Sequence, residues 1–83
     1  MYQFQKKDGT LVDFDQNKII VGIIKAGGTP EEAQKVAADI QTWLPTAAVN
    51  NVVNHLDIRN KVLAELLTLN PAVSASFEAF KKA

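Results

Sequence analysis

The chain has no cysteine and a single histidine, and neither sign of charge prevails, since nine Lys and Arg balance nine Asp and Glu. Without cysteine there is neither a disulfide framework nor a thiolate metal site. A nucleophilic triad would have to rest on His55 alone, because the few serines and threonines have no evident base beside them. Zero net charge removes the broad field that recognises nucleic acid or an anionic membrane, so any electrostatic function must come from local clustering. No apolar run approaches the ~20 residues of a membrane span. The opening MYQFQKKDG also lacks the apolar core of a signal peptide. EF-hand, Walker A and dinucleotide fingerprints are missing as well. A cytoplasmic protein that is not an enzyme is the expectation.

What is present is apolar material. At 47% of 83 residues it is enough for one packed core and too much for disorder. The length allows one domain, 1–83, and no second core.

The chain punctuates itself. YQFQ and TLVDF flank KKDG, and Asp8-Gly9 is a hairpin turn signal because glycine adopts positive φ at little cost. Residues 2–14 are therefore expected to form a β-hairpin. Asp15 suits an N-cap, Ile19, Ile20, Ile23 and Ile24 make one face of a first helix, and Gly27-Gly28 stops it. Thr29-Pro30-Glu31-Glu32 then reads as a capping box with proline in the first turn. Ala33, Val36, Ala37, Ile40 and Leu44 line this second helix, whose end is expected before Pro45. Asn54 with Asp57 opens a third, striped by Ile58, Val62, Leu66 and Leu69 and widened by Leu56, Leu63 and Leu67. Asn70-Pro71 opens a fourth, which buries Val73, Phe77 and Phe80. The stretch TAAVNNVVN is ambiguous, and a short strand around Val49 to Val53 is expected beside the hairpin. The fold class that follows is α+β, mainly α: a four-helix bundle capped by an N-terminal β-hairpin, with a three-stranded small sheet if TAAVNNVVN joins it.

Most polar residues have plain structural readings. Asp15, Glu32 and Asp57 are accounted for by capping and the helix dipole. His55, at a helix start beside Asp57, reads first as surface or cap support and only second as a ligand. Trp43 reads as the edge of the core before it reads as a stacking platform.

The lysines of the first corner leave two readings open. Lys6 and Lys7 on an exposed hairpin blunt edge pairing and keep the tip soluble. Alternatively, strand two returns them toward Lys18, and three ammonium groups around a helix N-terminus form a polyphosphate site. Charge-assisted bonds of roughly 1.5–3 kcal/mol each, with base burial, reach micromolar affinity, about −8 kcal/mol.

The string FQKKDGTLVDFDQNKII resembles the opening of the ATP-cone domain, which shows a Lys-Arg-Asp-Gly hairpin, a hydrophobic-acidic second strand and a Lys-Ile pair at the first helix. Lys6-Lys7-Asp8-Gly9, Val12-Asp13-Phe14-Asp15 and Lys18-Ile19 match that order, with Lys7 replacing the usual arginine and its planar bidentate fork. NHLDIRNKVLAELLTLNPAVSASFEAFKK is similar to the second half of the same domain, through Asp57-Ile58 and Phe77 to Lys81. The resemblance implies a nucleotide-sensing module of four helices roofed by a small sheet. The family sits most often at the amino end of ribonucleotide reductase large subunits, where ATP or dATP switches activity through oligomer state. It occurs also in a repressor of reductase genes and in some archaeal kinases.

By that resemblance Lys6, Lys7 and Lys18 would contact phosphates, with the base near Phe4, Val12 and Asp15. His55 and Arg59 would approach the ribose or phosphates, and Lys81 would close the site. The implied ligand is ATP or dATP with Mg2+, and a protein partner or a second copy would receive the signal. A competing reading is a helical interaction module of the same fold without nucleotide, with Val21, Leu69 and Trp43 as its patch. Nucleic acid is the weakest candidate: Lys6, Lys7, Lys18, Lys81 and Lys82 could touch phosphates, but aromatic interleaving is missing.

Overall fold

The computed structural model describes residues 2–79. The elements run β1 (Gln3–Gln5), β2 (Leu11–Asp13), α1 (Gln16–Lys25), α2 (Pro30–Ala47), β3 (Val52–Asn54), α3 (His55–Leu69) and α4 (Pro71–Ala79). The fold is α+β and mainly helical, with a three-stranded mixed sheet in the order β2-β1-β3.

β1 pairs antiparallel with β2, setting Phe4 opposite Val12, and parallel with β3, setting Phe4 opposite Val53. The connection at the hairpin tip is a tight one. Gly9 N–H donates to Lys6 O, Lys6 N–H donates to Thr10 O, and Gly9 takes φ +90°. That is a turn closed by a left-handed residue, which glycine tolerates and a β-carbon would strain. The third strand is shorter and later than Val49 to Val53. Val49 and Val52 exchange both backbone hydrogen bonds across Asn50-Asn51, each at positive φ, so that pair is itself a tight turn feeding β3.

The starts of α1, α2 and α3 are capped as the sequence leads one to expect. Asp15 accepts from Asn17 N–H, Thr29 and Glu32 form a reciprocal capping box, and Asn54 accepts from Leu56 N–H. α1 ends at the αR residue Ala26, followed by Gly27 at φ +103°.

Pro45 lies inside α2, which continues to Ala47. Proline removes the hydrogen bond to the carbonyl four residues back. Here that carbonyl belongs to exposed Gln41 and can be hydrated, so the last turn persists. Ala48 N–H then closes on Leu44 O.

All five residues of the α2 stripe are buried. They meet Ile19 and Ile23 of α1, Val53 of β3, Ile58, Val62 and Leu66 of α3, and Val73 of α4. Phe4, Phe14, Trp43 and Phe77 pack against this core from its edges. Ile24 and Leu69, placed on inner faces by periodicity, are exposed, because only part of each stripe meets a partner helix. Phe80 lies outside the described residues.

Candidate functional site

Two strand-to-helix transitions bring the polar residues of the site together. β2 leaves the sheet with Phe14 N–H bonded to Tyr2 O, and Asp15 caps α1 immediately afterwards. This carries Lys18 and Ile19 into the first turns of α1. β3 enters α3 without a linker, since Asn54 is both the last strand residue and the N-cap. His55, Ile58, Arg59 and Val62 follow at i, i+3, i+4 and i+7, which is one helix face.

Between these helix starts lies an open cavity of about 330 Å³. Phe4, Phe14, Phe77, Ile19, Ile58 and Val62 supply its apolar surface, and Asp15, Lys18, His55 and Arg59 supply its polar groups. Its size and its mixture of apolar walls with a few polar groups suit a small organic ligand. The lining thus carries two basic side chains, Lys18 and Arg59, and one acidic one, Asp15, and the N-terminal ends of α1 and α3 add partial positive charge.

Arg59 is also committed elsewhere. Its Nη2 donates to the backbone carbonyl of Glu78 at 2.9 Å, and its guanidinium carbon stands 5.8 Å from the centre of the Phe77 ring.

Of the residues singled out by sequence, Phe4, Asp15, Lys18, His55 and Arg59 border this cavity, whereas Lys6, Lys7 and Val12 do not. The register explains the lysines. Lys6 bonds with Thr10 at the far end of the hairpin, whereas the strand exit toward α1 lies opposite Gln3. Three residues of strand separate the two levels by roughly 10 Å. Val12 sits opposite Phe4 on β2. Lys81 lies outside the described residues.

At the tip, Asp8 accepts a hydrogen bond from Thr10 N–H at 2.9 Å. That bond, helped by the nearby Lys6, holds its carboxyl below the ordinary aspartate value. Asp8 thus braces the turn that carries the two lysines.

Periodicity assigns Ile19, Ile58, Val62 and Phe77 to the core, and nothing in the sequence singles out Phe14 as a wall of the site. The one available signal is on α3, where His55 and Arg59 continue the same face as Ile58 and Val62. A charge on a core stripe marks the place where that stripe emerges from the core.

The arrangement defines a small α+β domain with a cation-bearing apolar cavity at the sheet end of its helices. The chain belongs to the ATP-cone family, whose family model, the ATP cone domain, matches residues 2–81. Comparison with curated proteins finds none that matches. ATP-cone domains are generally nucleotide-binding allosteric regulatory modules rather than catalysts, and they take ATP or dATP as effectors. Among the described residues no helix is long and apolar enough to cross a membrane.

Proposed function

We propose that this domain is an allosteric sensor of ATP or dATP, with the nucleotide entering the cavity between the starts of α1 and α3. The observation that carries the reading is the placement of Lys18 and Arg59 on the same apolar cavity as three phenylalanines. The base lies among Phe4, Phe14 and Phe77, and the phosphates lie toward Lys18 and Arg59. Asp15, whose carboxylate already accepts from Asn17 N–H, takes a ribose hydroxyl or the adenine amino group. His55 stands beside the sugar.

The hairpin covers the site from β1. Lys6, held at the hairpin tip, adds positive charge on the side of the sheet from which the phosphates approach. Lys7 contributes through the longer-range field. The four helices act as a bundle and the hairpin as its lid. Among the described residues no group of three or more His, Cys, Asp or Glu side chains could hold a metal. Mg2+ therefore arrives on the phosphate oxygens, as suits its preference for few protein ligands.

The test is an amide NMR titration with ATP, dATP and ADP on the wild type, Lys18→Ala and Lys7→Ala. Saturable shifts over residues 4–19 and 54–59 are expected, weaker for ADP. Lys18→Ala should weaken ATP at least tenfold, and Lys7→Ala less and in a salt-dependent way. A folded protein indifferent to millimolar ATP would overturn the reading.

Exposed Val21 and Leu69, with Val21 49% accessible, favour a second reading. In it the domain serves as a protein-interaction module of the same fold without nucleotide, and sedimentation at several concentrations tests it.

A further inference from the structure

The attachments of α4 fall into two groups. Its first turn is fixed firmly: Val73 is buried in the core, and Ser74 Oγ donates to Leu63 O at 3.2 Å. The backbone N–H groups of both residues close on Asn70 O. The later half is different. Ala75, Ser76, Glu78 and Ala79 are exposed. That half is held through the Phe77 ring, close against Gly22 of α1, and through the Glu78 carbonyl, which accepts from Arg59 of α3.

Arg59 therefore serves two places at once, and its partner Glu78 lies nineteen residues along the chain. Arg59 borders the cavity and it secures the later half of α4. Its partner on α4 is a neutral carbonyl at an exposed position. A phosphate is a stronger partner for the same guanidinium, because donor and acceptor then both carry charge and the planar fork fits phosphate bidentately. Phe77 shares the conflict, since the ring under the guanidinium is also a cavity wall. A ligand that packs on Phe77 and offers negative charge competes for both of Arg59's commitments.

We propose that Arg59 is the residue that couples the cavity to α4: an anionic ligand draws its guanidinium off the Glu78 carbonyl, and the later half of α4 loosens. The inference rests on the reading of the cavity as a triphosphate site and assigns the route by which occupancy leaves it. The first turn of α4 stays in place through Val73 and Ser74, so within the described residues the change is confined to Phe77, Glu78 and Ala79. Linkage makes the coupling reciprocal, and whatever binds the freed end of α4 will raise affinity for the ligand by the same factor.

The experiment is hydrogen exchange on the whole chain, read amide by amide, without ligand, with ATP, and with inorganic tripolyphosphate. Wild type is compared with Arg59→Ala and Arg59→Lys. Saturating ATP is expected to speed exchange at Phe77, Glu78 and Ala79 roughly fivefold, the change in open population that one ordinary hydrogen bond produces. Amides near Lys18 and His55 should slow. In Arg59→Ala the α4 amides should exchange fast without ligand and gain nothing from ATP. Arg59→Lys, which keeps the charge and loses the fork, should lie between. Tripolyphosphate reproducing the effect would assign it to the phosphates, and ATP alone producing it would assign it to the base on Phe77 as well; both outcomes support the coupling. Saturable binding at Lys18 and His55 with α4 exchange unchanged or slowed would overturn the coupling and leave the nucleotide site standing. No saturable change with either ligand would overturn both.

Discussion

A β-carbon on Gly22 would stand 3.1 Å from Phe77 Cε1, so the absence of a side chain on α1 is what lets the Phe77 ring form its wall of the cavity. Gly22→Ala brings two effects of opposite sign. Alanine in a helix interior gains about 0.5–1 kcal/mol over glycine, while crowding costs something of the same order or more when the neighbour cannot move. Phe77 is only half-buried and borders open space, so its ring can yield by a few tenths of an ångström. The expected outcome is a thermal midpoint close to wild type with ATP affinity down about three- to tenfold, or ~0.6–1.4 kcal/mol. Calorimetric titration beside thermal melting checks this. Unchanged affinity in an equally stable variant would show that the ring does not shape the site.

Gly28 offers the contrasting case. A β-carbon there would meet Ile23 Cγ2 at 2.6 Å and the Ile23 carbonyl at 3.1 Å. That carbonyl also accepts the Gly28 N–H at 2.9 Å. Backbone cannot swing away as a side chain can, so Gly28→Ala should cost about 1–3 kcal/mol. For a domain of this size that lowers the melting temperature by roughly 4–8 °C per kcal/mol. A variant as stable as wild type would mean that the corner between α1 and α2 can shift freely.

Much of the fold is legible because the signals are local. Asp15, Thr29 with Glu32, and Asn54 declare helix starts through side chains that must bond the first free N–H groups. Pro45 misleads, because its cost depends on whether the stranded Gln41 carbonyl can reach water, a tertiary fact. Asn50-Asn51 looks like an interruption and is a tight turn, recognisable only once both flanking valines are paired. For the candidate site the opposite weighting holds. Lys6 and Lys7 stand out in the sequence, yet strand register keeps them at the tip. Ile58, Val62 and Phe77 are indistinguishable from core by periodicity, and only the opening between α1 and α3 at the sheet end turns part of that core into a wall. Arg59 is reached through resemblance, whereas its bond to Glu78 depends on how α3 and α4 pack.

Thr29 tests how much a cap contributes here. Its Oγ1 accepts from Glu32 N–H at 3.1 Å while Glu32 accepts from Thr29 N–H at 3.0 Å. Removing one half of that exchange at the start of the longest helix should cost ~1 kcal/mol. Urea unfolding of Thr29→Ala should show a lower midpoint with an unchanged slope. Thr29→Ser, which keeps the oxygen, should recover most of the loss. Equal loss in both variants would assign the effect to the threonine methyl instead.

The turn at the hairpin tip should make a small part of the stability depend on pH. Thr10 N–H, and secondarily Lys6, favour the ionised form of Asp8 in the folded chain and hold its carboxyl below the ordinary 3.8. A carboxyl lowered on folding contributes stability that is complete above the unfolded value and disappears as pH falls through the folded one. The gap in unfolding free energy between wild type and Asp8→Ala should therefore be widest near neutrality and should narrow below about pH 4. Any constant remainder reflects the turn preference of the two residues. Asp8 is fully exposed, so the acid-labile part should also shrink when the Lys6 contribution is screened by salt. Paired denaturation curves at pH 7 and pH 3, with the Asp8 carboxyl followed by NMR, check both statements. A carboxyl titrating at or above 3.8, or a gap that stays the same from neutral pH to acid, would remove Asp8 as the brace of the lysine-bearing turn.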